Sequence, residues 1–354
     1  MKRSRIRLAV PLVVLAVSLG FWGVSLAQTG LGDLPGLSAI ILGTSGDDVL
    51  EGTNKDDLIN SLDGNDILRG LDGNDSLDGG SGFDSLEGGA GDDILVGSAG
   101  GDRLLGGAGN DILHGGDGDD VLLGEDGQDV IFGGNGSDSI DGGAGDDKLY
   151  GDAGDDSIQG GEGNDALSGG DGNDVLLGGP GQESLDGGAG NDGLLGGEDD
   201  DLLIGGAGDD FLQGGEGNDV LLGGDGADFL LGGLGSDTIV GGPGRDTYVT
   251  SLDDGGDTII INLGDVPLFQ NETIVCGGGE DVVILVDIAE ENRTRMPSGV
   301  VVVIDPSVNN GFYTIEPTPT PTLTPTAVPM PTNTPTPTPS AAAGTATPMP
   351  TTSS

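Results

Sequence analysis

The chain predicts an all-β fold, a solenoid of stacked nine-residue turns that depends on bound cations. Three features of the sequence say so. Residues 43–249 repeat with a period of nine and never slip phase, which gives 23 copies. Each copy carries a carboxylate at its sixth position and an apolar or aromatic side chain at its eighth. The 354 residues bear a formal charge of −50 and only 3% are aromatic. An ordinary core cannot be built from that composition, and the self-repulsion leaves a disordered polyanion unless cations neutralise it.

The elements follow in order. Lys2, Arg3, Arg5 and Arg7 precede an apolar run over residues 8–24 and then the stretch SLAQ. This is a charged leader, an apolar stretch and a small-x-small site, with cleavage expected after Ala27. The competing reading is an uncleaved anchor, but the run is short for a span and holds Pro11, Gly20 and Gly23. Either reading places the remainder outside the cytoplasm, secreted or at the cell surface. Residues 28–42 read as a short N-terminal cap, 43–249 as the array and 250–316 as a C-terminal β cap. The cap is expected because apolar runs at 258–263, 282–288 and 300–304 suit strands. Residues 317–354 form a Pro/Thr-rich tail without a charged side chain, expected to be disordered and extended.

Within one copy, such as GGDGDDVLL at 115–123, every position has a physical reading. Glycines at positions one, two and four suggest a tight turn. Positions seven to nine are often β-formers and suggest a short strand with the eighth side chain inward. One unit can bury nothing, whereas stacked units cover each other's position-eight side chain. Stacking then aligns the position-six carboxylates in columns, which are stable only with cations between them. The ligands on offer are carboxylate and carbonyl oxygens, hard donors that suit calcium and, less well, magnesium. A single His114 and a single Cys276 exclude His- and Cys-based metal sites and any intrachain disulfide.

The tandem Gly-Gly-x-Gly-x-Asp-x-(Leu/Ile)-x pattern resembles the RTX, or haemolysin-type, calcium-binding repeat, which forms a parallel β-roll. The resemblance covers 207 residues. It implies two repeats per turn of the roll, with calcium held between a repeat and the next but one. The ligands it implies are position-six carboxylates and carbonyls of the glycine-rich turn, so that Asp111 shares an ion with Asp129 and Asp120 with Asp138. The implied metal residues are Asp48, Asp66, Asp75, Asp84, Asp93, Asp102, Asp111, Asp120, Asp129, Asp138, Asp147, Asp156, Asp165, Asp174, Asp192, Asp210, Asp219, Asp228, Asp237 and Asp246. Asp57, Asp201 and Glu183 stand apart. Lys55 and Asp199 replace the turn glycine beside the first two, and Glu183 is one methylene longer. The array holds 48 Asp and Glu against 5 Lys and Arg. Its 21 gaps between like turns, each with one divalent ion, would offset that net −43 almost fully.

Other chemistry is not supported. Gly188, Gly190 and Gly193 spell a GxGxxG, but no helix signal follows. HExxH, GxSxG and P-loop motifs are absent, and the acidic composition discounts nucleic acid as a partner. His114 falls in an outward slot and reads as a surface residue, and Cys276 as an inert thiol. Asn271-Glu272-Thr273 and Asn292-Arg293-Thr294 fit a glycosylation sequon. The expectation is a non-enzymatic, exported, calcium-binding β-roll. It would act as a structural or adhesive module with a cell-surface or matrix partner, or as a folding accessory to a hydrolase or toxin on another chain. Calcium buffering is a third option. Outward positions turn apolar toward the end of the array, at Leu202, Ile204, Phe211, Val220, Leu222, Phe229, Leu231 and Val240. From this we expect residues 250–316 to fold back over one outer face and the other face to support self-association.

Overall fold

The computed structural model describes residues 25–26, 38–250, 256–262, 273–275, 281–286, 300–304 and 312–314. The cleavage site after Ala27, Cys276, both sequon asparagines and the Pro/Thr tail lie outside them.

The described chain winds into two fifteen-stranded sheets, and as far as Asp281–Val286 successive strands alternate between them. Each strand therefore pairs in parallel with the next but one. Ile112–Asp117 pairs with Val130–Asn135, and Val121–Asp126 with Ser139–Ala144. The offset is eighteen residues, two repeats per turn, as the resemblance implied. This is the parallel β-roll expected from the sequence.

The strands are longer than the sequence suggested. A typical one runs six residues, from position seven through position three of the next copy. Glycines at positions one and two thus lie within strands, and the turn shrinks to positions four to six. The pleat explains this. Side chains alternate across a strand, so positions eight and one both face inward. Position eight supplies the core and position one must be small.

The core is a single file. Leu113, Leu122, Ile131, Ile140 and their counterparts from Leu50 to Tyr248 are 0–2% exposed. One such side chain per nine residues is a small return against the entropy of ordering nine backbones. The rest of the stability must come from the ladders and from the turns.

Positions seven and nine do face outward. His114 lies on that surface, stacked on Phe132 at 4.7 Å between ring centroids, and Phe132 stacks on Tyr150 at 5.0 Å. The described strands after residue 250, however, extend the sheets instead of covering a face. Thr258–Asn262 and Asp281–Val286 extend one sheet end-on, and Thr273–Val275 extends the other. Val300–Ile304 and Phe312–Thr314 then join antiparallel as the last strands. End-on pairing satisfies the backbone groups of an open sheet edge, which packing against a face would leave bare.

At the other end, Ser25–Leu26 pairs with Asp48 and Val49, inside the leader expected from the sequence. Among the described residues, no helix is long and apolar enough to cross a membrane.

Candidate metal centre

All 23 position-six carboxylates are buried, the most exposed being Asp57 at 4%. Parallel pairing stacks them in two columns, one on each edge of the roll. From Asp66 to Asp246 each aspartate in a column accepts a hydrogen bond from the backbone of its predecessor. Asp102 N–H donates to Asp120 Oδ1 at 2.6 Å, Asp111 N–H to Asp129 Oδ1 at 2.7 Å, and Asp120 N–H to Asp138 Oδ1 at 2.8 Å. The structure therefore brings together the pairs that the resemblance implied.

The second oxygen is the informative one. From Asp66 to Asp228, nineteen consecutive turns present a buried carboxylate oxygen with no hydrogen-bond donor, Oδ2 in every aspartate. An ionised oxygen in a dry turn without a partner is costly, so each one calls for a positive neighbour. The surroundings are built for one. A methyl group placed on Gly106 would lie 2.5 Å from Asp111 Oδ2 and 2.9 Å from the carbonyl oxygen of Gly124. Glycine at position one thus leaves a cradle in which a carboxylate oxygen and the next turn's carbonyl converge. Position four has a different constraint. Gly118 has φ +138° and lies against Gly100 in the turn below.

Among the described residues, no three His, Cys, Asp or Glu side chains gather in one place. The donor set is carboxylate plus backbone carbonyl, all hard oxygen, which fits calcium.

Burial also sets the acidity. It pushes Asp93, Asp120, Asp147, Asp156 and Asp228 up to about 7, and Asp75, Asp84, Asp129 and Asp219 up to about 6. The neighbouring backbone N–H opposes this shift, and adjacent carboxylates in the column add to it.

The three residues set apart behave differently from one another. Glu183 breaks its column, because neither Oε1 nor Oε2 accepts a hydrogen bond and the rung from Asp165 is missing. Burial first, and then the adjacent Asp201 carboxylate, push Glu183 up to about 9. Asp201 keeps its rung, accepting from Glu183 N–H at 2.9 Å. Beside it Asp199 takes the left-handed conformation of the glycine it replaces, with φ 71°. Asp57 is satisfied by protein donors on both oxygens. Oδ1 accepts from Ala39 N–H, and Oδ2 from Thr53 N–H and Oγ–H.

Two features escaped the sequence reading. Asp257 continues the second column, accepting from Asp237 N–H at 2.9 Å. Its offset is twenty instead of eighteen, so an insertion hides it from a strict nine-residue phase. The signal was there in Gly256-Asp257-Thr258-Ile259, with Ile259 fully buried in the file of core residues. The second feature is an outer ladder at position five that runs the opposite way. Asn173 N–H donates to Asp155 Oδ1 at 2.8 Å, and Asn191 N–H to Asn173 Oδ1 at 2.9 Å. Hydrogen bonds from Asn173 and Asn218 hold Asp155 and Asp200 below the usual carboxylate range.

The family model for the RTX calcium-binding nonapeptide repeat, four copies long, matches nine overlapping segments from residues 42–77 to 222–259. No curated protein sequence matches the chain.

Proposed function

Because the chain belongs to the RTX calcium-binding nonapeptide repeat family, we propose that it is a calcium-folded, non-catalytic structural module that works outside the cytoplasm. The observation that carries this reading is the run of nineteen turns whose buried carboxylates each leave an oxygen without a donor. From Asp75 onward each is paired with a glycine cradle. The position-six residues from Asp75 to Asp228 hold the cations, together with position-one carbonyls such as that of Gly124. When bound, calcium supplies the positive charge that the two columns otherwise lack. The aspartates orient it through their fixed Oδ1 bonds, and the close-packed strands exclude water from the second oxygen.

Residues 1–27 act as the export leader in this reading. Extracellular calcium then completes folding after the chain has left the cell, since affinities of about 10⁻⁴–10⁻³ M suit extracellular modules. The adhesive role draws support from apolar residues on one outer face. Leu177, Leu195, Phe211 and Phe229 are each 37–40% exposed on strands of the same sheet.

The test is fractionation of the producing cell followed by affinity capture on the full chain, in calcium and in chelator. Recovery outside the cytoplasm, with surface components captured only in calcium, supports the proposal. A cytoplasmic protein, or capture indifferent to calcium, counts against it.

A further inference from the structure

The turns at the two ends of the roll differ from the interior in one respect. Protein hydroxyl groups reach the position-six cradles there. In the first copy, Thr44 N–H and Oγ–H both donate to Asp48 Oδ2, at 2.6 and 3.1 Å. In the second, Thr53 N–H and Oγ–H donate to Asp57 Oδ2, and Ala39 N–H takes Oδ1. In the third, position one is Ser61 instead of glycine. Its side chain fills the cradle, fully buried, and its hydroxyl donates to the Gly79 carbonyl at 2.6 Å, while Asp66 Oδ2 beside it has no donor. At the far end the Tyr248 hydroxyl reaches over Gly241 and lies 3.4 Å from Asp246 Oδ2.

We infer that these turns are cation-free caps, in which the hydroxyls of Thr44, Thr53 and Tyr248 supply donors in place of a cation and the Ser61 side chain fills the space a cation would need. The inference rests on the calcium reading above and narrows it. The chemistry is a substitution of donors. A buried carboxylate needs either a positive ion or hydrogen-bond donors aimed at it. Asp57 has three donors on two oxygens, so both oxygens are already partnered without an ion. At Ser61 the hydroxyl occupies both the space and the carbonyl lone pair that an ion would use. The first open cradle is therefore that of Gly70 and Asp75, and the N-terminal turns can order before calcium is present. They then present a formed edge on which later turns stack, as repeat proteins propagate by nearest-neighbour contact.

Ion counting by native mass spectrometry of the full chain tests this. Ser61→Gly opens the third cradle and should bind one calcium more than the parent. Ser61→Ala, which keeps the cradle filled but removes the donor, should not. Asp57→Asn should leave the count unchanged, whereas Asp120→Asn should lower it. An unchanged count in Ser61→Gly, or a lost ion in Asp57→Asn, overturns the caps. A parent chain that binds no calcium overturns the proposed function instead. The caps then face hydrogen exchange in chelator. Slower exchange over residues 43–69 than over 102–129 supports them, and equal or faster exchange over 43–69 overturns them.

Discussion

Asp102 and Asp120, eighteen residues apart, are joined by a hydrogen bond of 2.6 Å from the backbone of the first to Oδ1 of the second. That bond fixes one carboxylate oxygen and leaves the other, Oδ2 of Asp120, buried with no donor. The same residue therefore serves the fold with one atom and invites a cation with the next.

Substitution at position six should separate those two roles from a position-five control. Asp120→Ala removes the acceptor of Asp102 N–H and the unpartnered oxygen together. It should lower calcium stoichiometry and destabilise the neighbouring turns by about 1–3 kcal/mol. Asp119 is exposed and accepts only Ser137 N–H, at 3.0 Å. Asp119→Ala should cost roughly 0.5–1 kcal/mol and leave stoichiometry intact. Isothermal titration of both variants provides the comparison, and equal losses of bound calcium would remove position six from the ligand set.

Acid should replace calcium in part. Burial raises the interior aspartates in the folded roll, Asp129 to about 6 and Asp120 to about 7, against about 3.9 in an unfolded chain. Their folded values are raised, so protonation stabilises the cation-free roll. That contribution is complete below the unfolded value and lost as pH rises through 6 to 7. In chelator, β-structure should therefore be greater at pH about 5 than at about 8, where these groups must ionise without a partner. In calcium the dependence reverses, because protons compete for the ligands. Circular dichroism at the two pH values, with and without calcium, reads both signs.

Glu183→Asp should strengthen the roll. The shorter side chain restores the geometry in which Asp165 N–H finds an acceptor, a rung that Glu183 leaves empty. The expected gain is about 0.5–1.5 kcal/mol, with a lower calcium midpoint. A variant less stable than the parent in a calcium-loaded thermal melt would show that the long side chain serves its site.

Gly118→Ala should be more damaging than its size suggests. The position has φ +138°, and an added methyl group would press on Gly100 in the turn beneath. A loss of more than about 1 kcal/mol is expected, confined to the turns on either side. Hydrogen exchange along the chain measures how far the damage spreads.

Much of this architecture was legible because each repeat position has one dominant constraint. An unbroken eighth position from Leu50 to Tyr248 defined the core file, and the sixth defined both columns. The strand limits were harder to read. Gly115 and Gly116 signal a turn locally, yet Gly115 is a strand residue that must be glycine because a carboxylate occupies the room beside it. Nothing in one copy reveals that neighbour. Asp257 was hidden by a two-residue insertion. The opposed ladder at Asp155 and Asn173 was hidden because an Asn or Asp in a turn already has a local explanation. Thr53 and Ser61 replace glycine at positions two and one, and their role shows only in the hydroxyls that point at atoms a cation would touch.

Calcium titration of the full chain, followed by far-ultraviolet circular dichroism, is the most direct measurement of calcium-dependent folding. In chelator at neutral pH the array should be largely coil, because a net −43 outweighs one buried side chain per repeat. Added calcium should convert it cooperatively to β-structure, with a midpoint of about 10⁻⁴–10⁻³ M. A spectrum that is already β-rich in chelator and unmoved by calcium would contradict the claim that the cations are part of the fold.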